Sequence, residues 1–369
     1  MASRLFSPIA LRGLTVPNRI AVAPMCQYSA TDGVPDDWHL VHLGTFAQSG
    51  PGLIIAEATG VEPQGRITLG CTGLYSDACE AGFARILSFT RSVGKSCFGI
   101  QLAHAGRKAS TMAPWEGGGP LDAGGWQTES ASAIPYLPGW TAPVALDRAG
   151  MDRITAAFAQ AATRAARIGI DLIEVHAAHG YLLHQFLSPL TNQRTDDYAG
   201  SLDNRMRFPL EVFAAVRAAF PADRPVILRL SATDWIEGGW DLVQSVTFAQ
   251  ALRDLGCDMI HVSSGGLDQR QAIVPGPGYQ VDFCEAIRRG AGVPTMAVGQ
   301  ITGAVQAETI LRTGQADMVA LARGMLWDPR WTWRAAVELG EELALPAPYA
   351  RANPALRATP FVTRKEGRA

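Results

Sequence analysis

The sequence contains six cysteines, and none of them forms a Cys-x-x-Cys motif or another paired spacing. Structural zinc sites and iron–sulfur clusters use such spacings, and small secreted domains use paired cysteines as a disulfide framework. The sequence therefore argues against all three. We expect a reduced protein that is located in the cytoplasm.

The sequence also lacks an excess of charge of either sign and lacks long hydrophobic runs. Its 32 Lys and Arg residues nearly balance 34 Asp and Glu residues, which gives a formal net charge of -2. Proteins that bind nucleic acid or anionic membranes usually carry a basic surface, so we expect neither partner. No apolar run approaches the roughly 18 residues of a membrane span, and no N-terminal stretch has the pattern of a signal peptide.

What the sequence does contain is eight short apolar runs that alternate with helix-like segments. Strands of a parallel sheet read as such runs, because both faces of the sheet are covered. Eight βα units in 369 residues predict an α/β fold, a closed (β/α)8 TIM barrel that forms one domain over 1–369. A doubly wound sheet is the alternative, but the turn after the first run lacks the Gly-x-Gly-x-x-Gly pattern of that fold. The runs cover residues 19–24, 53–58, 97–102, 171–175, 225–230, 258–262, 294–298 and 317–321.

Apolar residues at helical spacing fill the segments between the runs. Leu202, Met206 and Leu210 begin one such series before the fifth run. Asp241, followed three residues later by Gln244, predicts a capping box at the start of the next helix.

Two segments depart from the even spacing. Residues 103–150, after the third run, are rich in Gly and Pro and carry Trp115, Trp126 and Trp140. A connection this long is typical of a functional lid, although a surface insertion whose tryptophans pack only on one another would have the same composition. The other segment is the C-terminal tail, residues 341–369, in which four prolines forbid a long helix. They are Pro346, Pro348, Pro354 and Pro360.

Polar residues follow the fourth run, where the sequence reads His176-Ala-Ala-His179-Gly-Tyr181. Barrels bind substrates and cofactors at the C-terminal ends of their strands, so these three side chains are the first candidates for an active site. The histidines have three interpretations: zinc ligands, hydrogen-bonded core histidines, or two donors aimed at one substrate oxygen. The third is favoured, because a catalytic zinc would need a third protein ligand.

An arginine interrupts the fifth run, which reads Val-Ile-Leu-Arg229-Leu. A buried unpaired charge costs several kcal/mol, so Arg229 needs an anionic partner. The partner would be Glu57 or Glu174 within the protein, or an anionic ligand across the barrel mouth. Gly299 after the seventh run and Ala322-Arg323-Gly324 after the eighth fit the phosphate-binding loops of such barrels, so we predict a bound phosphate group.

Ordered motifs run along nearly the whole chain. They are Leu5-Phe6-Ser7-Pro8, Val16-Pro17-Asn18-Arg19-Ile20, Ala23-Pro24-Met25-Cys26-Gln27-Tyr28, His176-Ala-Ala-His179-Gly-Tyr181-Leu, Phe186-Leu187-Ser188-Pro189, Asn192-Gln-Arg194-Thr-Asp196, Tyr198-Ala-Gly200-Ser201 and Asn204-Arg205. In this order they resemble the Old Yellow Enzyme family of FMN-dependent ene-reductases. Within that family they are most similar to the bacterial branch that contains the xenobiotic reductases.

The resemblance implies a TIM barrel that holds FMN at its mouth and takes electrons from NADPH or NADH. The substrates would be alkenes activated by a carbonyl or nitro group, such as enals, enones, maleimides and nitro compounds. His176 and His179 would hold the substrate oxygen, hydride would pass from flavin N5 to the β-carbon, and Tyr181 would protonate the α-carbon. A homodimer or homotetramer is also implied.

The resemblance assigns further residues to the cofactor and the substrate. Cys26 would lie beside flavin N5 and tune its reduction potential, Gln101 would bond to the pyrimidine side, and Arg229 would face the N1/C2 carbonyl region. Tyr28 would contact the substrate. Arg351 would either reach into a neighbouring subunit's site or lie as a solvated arginine. The full set of cofactor residues is Ala23, Pro24, Met25, Cys26, Ala58, Gln101, Arg229, Gly299, Ala322, Arg323 and Gly324.

Three other functions fit parts of the pattern. A metal-dependent barrel hydrolase would use His176 and His179 as ligands. Another flavin barrel could act on a thioester or an amine, but the related enzymes with an iron–sulfur cluster need cysteines that this sequence lacks. A non-catalytic binding protein would keep the phosphate loops without needing Tyr181 or the histidine pair.

Overall fold

The computed structural model describes residues 2–342 and 345–354, and its centre is a closed barrel of eight parallel strands. Each of the eight apolar runs contributes one strand, which confirms the TIM-barrel prediction. The strands are β1 (Ile9–Leu11), β2 (Leu14–Val16), β3 (Ile20–Val22), β4 (Leu53–Gly60), β5 (Cys97–Ala103), β6 (Glu129–Ser130), β7 (Val144–Ala145), β8 (Leu172–Ala177), β9 (Val226–Ser231), β10 (Ile260–Ser263), β11 (Thr295–Ala297) and β12 (Met318–Leu321). The barrel consists of β3 to β5 and β8 to β12 in chain order, with β12 paired to β3.

Helices surround the barrel and bury their apolar faces against it. In α3, Ile154, Phe158, Ala161 and Ala165 recur at helical spacing and are all buried. Burial of one phenylalanine side chain contributes about 1.5–3 kcal/mol, so these faces hold the helices on the barrel. The helices are α1 (Asp37–Ser49), α2 (Asp77–Val93), α3 (Arg148–Ile168), α4 (Leu182–Leu187), α5 (Leu202–Ala219), α6 (Leu242–Asp254), α7 (Val281–Ala291), α8 (Ala304–Arg312), α9 (Arg323–Trp327) and α10 (Trp331–Leu339).

The predicted capping box at the start of α6 is only half formed. The Asp241 carboxylate accepts a hydrogen bond from the backbone N–H of Gln244 at 2.9 Å, as predicted. The Gln244 side chain does not complete the box. It accepts from Arg205 and donates to the Gly239 carbonyl, because both are within reach of its amide.

A hairpin of β1 and β2 closes the N-terminal end of the barrel. Arg12 in its turn forms an ion pair with Asp258, which precedes β10, with 2.6 Å between Nε and Oδ1. Leu11 and Val16 belong to an apolar cluster that fills the barrel interior at this end, together with residues such as Leu53. The polar part of the interior therefore lies at the other end, where the strands finish.

The insertion after β5 packs on the rest of the molecule. It contains the two-stranded parallel sheet of β6 and β7 and two short 3-10 helices, Gly106–Lys108 and Pro114–Glu116. Trp115 packs edge-on against Tyr28, and Trp126 donates a hydrogen bond from Nε1 to the backbone carbonyl of Gln64. The alternative in which the tryptophans pack only on one another is therefore wrong.

The described part of the tail forms a short 3-10 helix, Ala347–Ala352, and no long helix occurs within residues 345–354. Pro360 and the rest of 355–369 lie outside the described residues. Among the helices of the described residues, none is long and apolar enough to cross a membrane.

Candidate active site

Four polar side chains meet inside the barrel at the C-terminal end, and we call them the floor: Gln101, Glu174, Arg229 and His261. They lie on neighbouring strands, and strand pairing places Gln101 beside Glu174 and Arg229 beside His261. All four are buried. Glu174 Oε1 accepts from Gln101 Nε2 at 2.6 Å, and Oε2 lies 2.7 Å from His261 Nδ1. Glu174 therefore fixes both the amide of Gln101 and the ring of His261.

Arg229 is the buried cation of the floor. Its Nε has no hydrogen-bond partner among the described residues, which also offer it no ion pair with Glu57 or Glu174. Both oxygens of Glu174 are engaged elsewhere, and a β-bulge at Glu57 turns that carboxylate to His39 of α1, at 3.2 Å. Of the two alternatives for Arg229, the internal ion pair with Glu57 or Glu174 is therefore wrong. Burial lowers the pKa of Arg229, but a guanidinium remains charged in proteins, so an anionic ligand is the partner that the geometry leaves.

A cavity of about 590 Å³ opens beside Arg229 at the ends of β10, β11 and β12. Gly299, after β11, has a φ of +121°, which favours glycine, and a Cβ there would lie 2.6 Å from Gln280 Nε2. Arg323 is exposed, so its planar guanidinium is free to meet a phosphate from solvent. The cavity is lined by five of the predicted cofactor residues: Arg229, Gly299, Ala322, Arg323 and Gly324.

A larger groove, of about 890 Å³, lies at the opposite end of the barrel. Asn18, Gly94 and Trp333 are among its lining residues, and none of the predicted site residues lines the groove within the described ranges. The chemistry of the strand ends therefore favours the smaller cavity as the cofactor site, in spite of its size.

The segment from Ala23 to Tyr28 leaves β3 and passes along the edge of the barrel mouth. The backbone N–H of Gln27 donates to Glu57 Oε2 at 3.1 Å, so the carboxylate on the bulge of β4 anchors this segment. Burial raises the pKa of the Cys26 thiol well above its usual value, and Glu57 raises it further. Cys26, which faces the Ala58 backbone, therefore carries a neutral thiol at physiological pH.

His176, His179 and Tyr181 form a cluster above the floor, which we call the histidine cluster. The ring centroid of His176 lies 5.2 Å from that of His179 and 5.0 Å from that of Tyr181. Burial lowers the pKa of both histidines well below the usual value, and the positive charge of Arg229 lowers it further. Both histidines are therefore neutral at pH 7. Burial raises the pKa of Tyr181 well above its usual value, so its phenol keeps its proton.

Hydrogen bonds indicate which nitrogen of each histidine can donate. The backbone N–H of Ala178 donates to His176 Nδ1 at 3.3 Å, so the single ring proton of neutral His176 lies on Nε2. His179 Nε2 lies 2.7 Å from the hydroxyl oxygen of Ser263, which orients that ring. His176 can thus present its Nε2–H to an acceptor oxygen, and His179 can donate to the same oxygen only from Nδ1, because its Nε2 faces Ser263.

The metal-dependent alternative finds no support in the arrangement of these residues. Within the described residues, the group with suitable ligand geometry is Glu62, His104 and Glu129, which does not include His176 or His179. Arg153 of α3 already bridges the two carboxylates of that group.

Comparison with known proteins decides the family. Residues 4–342 match the NADH:flavin oxidoreductase / NADH oxidase family. The chain is 42% identical to "NADH:flavin oxidoreductase FG08077" of Gibberella zeae, over 93% of this chain and 88% of the relative. It is also 42% identical to an NADPH dehydrogenase of Bacillus subtilis, over 95% of this chain and 99% of the relative. The solved structure of morphinone reductase superposes with a TM-score of 0.76 at 31% identity, covering 94% of this chain and 92% of that one.

The chain belongs to the NADH:flavin oxidoreductase / NADH oxidase family. This confirms the resemblance to the Old Yellow Enzyme family, and the chain is a flavin-dependent NAD(P)H oxidoreductase. The prediction of FMN as cofactor, with a nicotinamide nucleotide as electron donor, is confirmed with it.

The described residues fit the FMN of this NADH:flavin oxidoreductase. The unpartnered Nε of Arg229 offers a buried donor and a positive charge, which suit the pyrimidine end of a flavin. Gln101, fixed by Glu174, presents an amide on the same floor. The exposed Arg323 and the backbone at Gly299, which line the cavity of about 590 Å³, would suit the phosphate end.

Arg351, a predicted substrate-binding residue, lies away from the active site of its own chain. It is exposed on the 3-10 helix of the tail, whose Tyr349 packs against Trp333 of α10, with 5.9 Å between ring centroids. Tyr349 also lines the groove at the N-terminal end of the barrel, opposite the histidine cluster. A role for Arg351 in a neighbouring subunit stays a prediction.

Sequence reasoning missed several residues of the site. Glu174 was named only as a possible partner of Arg229, and His261 was not named, although each is a polar residue inside an apolar strand, as Arg229 is. Ser263 closes β10, where a polar residue ends an apolar strand. Lys108, in the 3-10 helix at the start of the insertion, had no periodic pattern that could reveal it.

Proposed function

We propose that this protein reduces carbon–carbon double bonds that are activated by a carbonyl or nitro group, with electrons from NADPH or NADH. The observation that carries the proposal is the cluster of two neutral histidines and one protonated tyrosine above a floor with an unpaired arginine. Enals, enones, maleimides and nitroalkenes are the substrate class. When bound, FMN supplies the hydride for the β-carbon of such a substrate.

His176 and His179 bind the oxygen of the activating group. Because both rings are neutral, they donate hydrogen bonds to the oxygen without transferring a full proton to it. These bonds strengthen as negative charge develops on that oxygen, so they stabilise the transition state more than the bound substrate.

Tyr181 donates its proton to the α-carbon. Its raised pKa keeps the phenol protonated over the physiological range, so the proton is present whenever a substrate binds. The closeness of the Tyr181 and His176 rings, 5.0 Å, places the proton donor next to the group that holds the substrate oxygen. Oxygen binding and carbon protonation thus act on the same substrate from one cluster.

Arg229 and Cys26 act on the cofactor. The unpaired guanidinium of Arg229 favours the negative charge of a reduced flavin. Cys26, as a neutral thiol, supplies a polarisable group without adding charge. Tyr28 contributes to the substrate side of the pocket. Arg351 contributes to the site of a neighbouring subunit in a homodimer or homotetramer.

Transient kinetics of Tyr181→Phe and His176→Ala test the proposal. Tyr181→Phe should slow the reduction of an enone by about 10²-fold or more, while reduction of a quinone, which needs no carbon protonation, should be much less affected. His176→Ala should slow both oxidative reactions by about 10²–10³-fold, because each needs its oxygen held. Reduction of the enzyme by NADPH should change little in either variant.

Tyr198→Phe is the matched control, since it removes a phenol that bonds to Glu211 away from the barrel mouth. It should leave every rate unchanged. Equal losses on enone and quinone in Tyr181→Phe would refute the role of Tyr181 as proton donor.

A further inference from the structure

Lys108 joins two loops of the barrel mouth. It ends the 3-10 helix Gly106–Lys108, at the start of the insertion. Its Nζ donates to the carbonyl oxygen of His179, in the loop after β8, and to that of Gly266, in the loop after β10, both at 2.9 Å. One side chain from a third loop therefore holds the backbone of the histidine cluster.

The two loops touch backbone to backbone at the point where Lys108 binds. Gly180 and Gly266 have φ values of +72° and +90°. A Cβ on Gly266 would lie 2.6 Å from the Cα of His179, and a Cβ on Gly180 would clash with the Gly266 carbonyl. Because the two loops are in close contact, both carbonyls lie within hydrogen-bonding distance of one ammonium group. Lys108 therefore links the two loops.

Lys108 also lies against the proposed proton donor. Its Nζ is 5.0 Å from the ring centroid of Tyr181 and 4.8 Å from that of Tyr136 in the insertion. A cation at this distance from an aromatic ring is attracted to it. No carboxylate within the described residues forms an ion pair with Lys108, so its charge acts on the rings without being neutralised.

The other charged groups near Lys108 are bonded to other partners. Arg107, in the same turn, donates to the carbonyls of Ile134, Pro135 and Leu267 and lies over Tyr136. Asp268, in the loop after β10, is ion-paired with Arg270 on the surface. The cation nearest to the Tyr181 ring in these contacts is therefore Lys108.

We propose that Lys108 is a positioning residue for the protonation step. It holds the turn that carries His179 and Tyr181, and its charge stabilises the phenolate that Tyr181 becomes. In that step the O–H bond of Tyr181 breaks, a C–H bond forms at the α-carbon, and the electron pair stays on the phenolate oxygen until solvent returns a proton. The inference rests on the proposed function, in which Tyr181 is the proton donor.

The charge of Lys108 gives the step a pH dependence. Burial, and then the neighbouring Arg107, lower the pKa of Lys108 to about 8. Because the ammonium form is the active one, its support is present below this pKa and is lost as the pH rises through it. The pKa values of His176 and His179 lie well below this window, and those of Tyr181 and Tyr136 are raised above their usual values. Arg107 stays charged throughout.

The test uses the FMN-loaded enzyme and compares Lys108→Met and Lys108→Arg with Tyr181→Phe. Stopped-flow rates with an enone and with a quinone are measured from pH 6 to 9.5, along with FMN content. Lys108→Met should slow enone reduction by about 10²-fold, with a smaller effect on quinone reduction and on FMN content. The fall in enone rate near pH 8 should disappear. The double variant Lys108→Met/Tyr181→Phe should be slower on the enone than Tyr181→Phe by no more than the factor by which Lys108→Met slows the quinone, since only the hold on His179 remains to be lost.

Lys108→Arg keeps a positive charge that does not titrate below pH 9.5, so its enone rate should show no fall near pH 8. This variant tests the inference even if Lys108→Met does not fold. Lys95→Met is the matched control, because Lys95 is exposed at the end of α2, and it should leave all rates unchanged.

Two sets of results would overturn the inference. In the first, Lys108→Met slows enone and quinone equally, or Lys108→Arg keeps the fall near pH 8. In the second, the enone rate of the double variant falls by the full product of the losses seen in the two single variants. If Tyr181→Phe slows the enone as expected and Lys108→Met does not, the inference fails alone. If Tyr181→Phe has no effect on the enone, the proposed proton donor fails and the inference with it.

Discussion

At the scale of single residues, Glu174 is the group on which the floor of the site depends. Its two oxygens hold Gln101 and His261 from strands on either side of β8 and β9. It also supplies the negative charge that raises the pKa of Arg229 against the effect of burial. A buried carboxylate with two partners thus serves both geometry and electrostatics.

Glu174→Gln should raise the midpoint potential of the bound flavin. The substitution keeps the shape of the side chain but removes a negative charge that opposes a reduced, anionic flavin. At an effective dielectric of about 20, a unit charge roughly 8–16 Å away contributes roughly 1–2 kcal/mol. This energy corresponds to about 20–40 mV for a two-electron couple. Dye-coupled reductive titration would measure the shift. A potential that falls, or that stays within a few millivolts of the parent, would contradict the assignment.

The sequence identified Arg229 as a charge inside an apolar strand, and the structure buries it there with its Nε unpartnered among the described residues. It could not identify which acid would be engaged elsewhere. Glu57 lies on a bulge that turns it to His39, and Glu174 is held by a histidine 87 positions away in the chain. Both outcomes depend on strand register and on the bulge, neither of which is encoded in local spacing.

At the scale of structural elements, the contact between the loops after β8 and β10 defines the shape of the mouth. It requires glycine at two positions with positive φ, Gly180 and Gly266, because a side chain on either would strike the opposite backbone. The two loops therefore behave as a single unit, and we expect a change in the loop after β10 to displace the histidine cluster in the loop after β8.

Gly266→Ala should destabilise the protein and impair catalysis together. The positive φ alone costs roughly 1–2 kcal/mol for a residue with a Cβ, and the contact with His179 adds to this. Thermal unfolding and the enone rate would measure the two effects. Gly276→Ala is the control, since a Cβ there meets nothing within 4 Å and its φ is not positive. Unchanged stability in Gly266→Ala would show that the loops can separate at little cost.

The elements themselves were largely predictable from sequence. All eight barrel strands overlap the apolar runs, because burial on both faces leaves a continuous apolar signal. The run at 171–175 was extended by the structure to Ala177, where His176 interrupts the apolar pattern but not the strand. The insertion was different, because its packing on Tyr28 and Gln64 depends on single contacts and leaves no periodicity to detect.

At the scale of the whole molecule, an unpaired guanidinium inside the barrel makes stability depend on the cofactor. We expect FMN to raise the free energy of unfolding, by about 2.7 kcal/mol when free FMN is 100-fold above its Kd. Arg229→Met should weaken this dependence. Without FMN it should be more stable than the parent, by less than the roughly 1–3 kcal/mol expected for an isolated buried charge, since the attraction of Glu174 is lost together with the guanidinium. Thermal unfolding at graded FMN would measure both, and a less stable Arg229→Met without FMN would refute the argument.

The hairpin of β1 and β2 has a consequence for the order of events in turnover. The hairpin and the apolar cluster of Leu11, Val16 and Leu53 close one end of the barrel, so among the described residues the barrel is open at its C-terminal end. If the proposed function holds, we expect the nicotinamide and the alkene to bind at this same opening one after the other. Double-reciprocal plots of the initial rate, measured at several fixed concentrations of the other reactant, should therefore give parallel lines rather than converging ones.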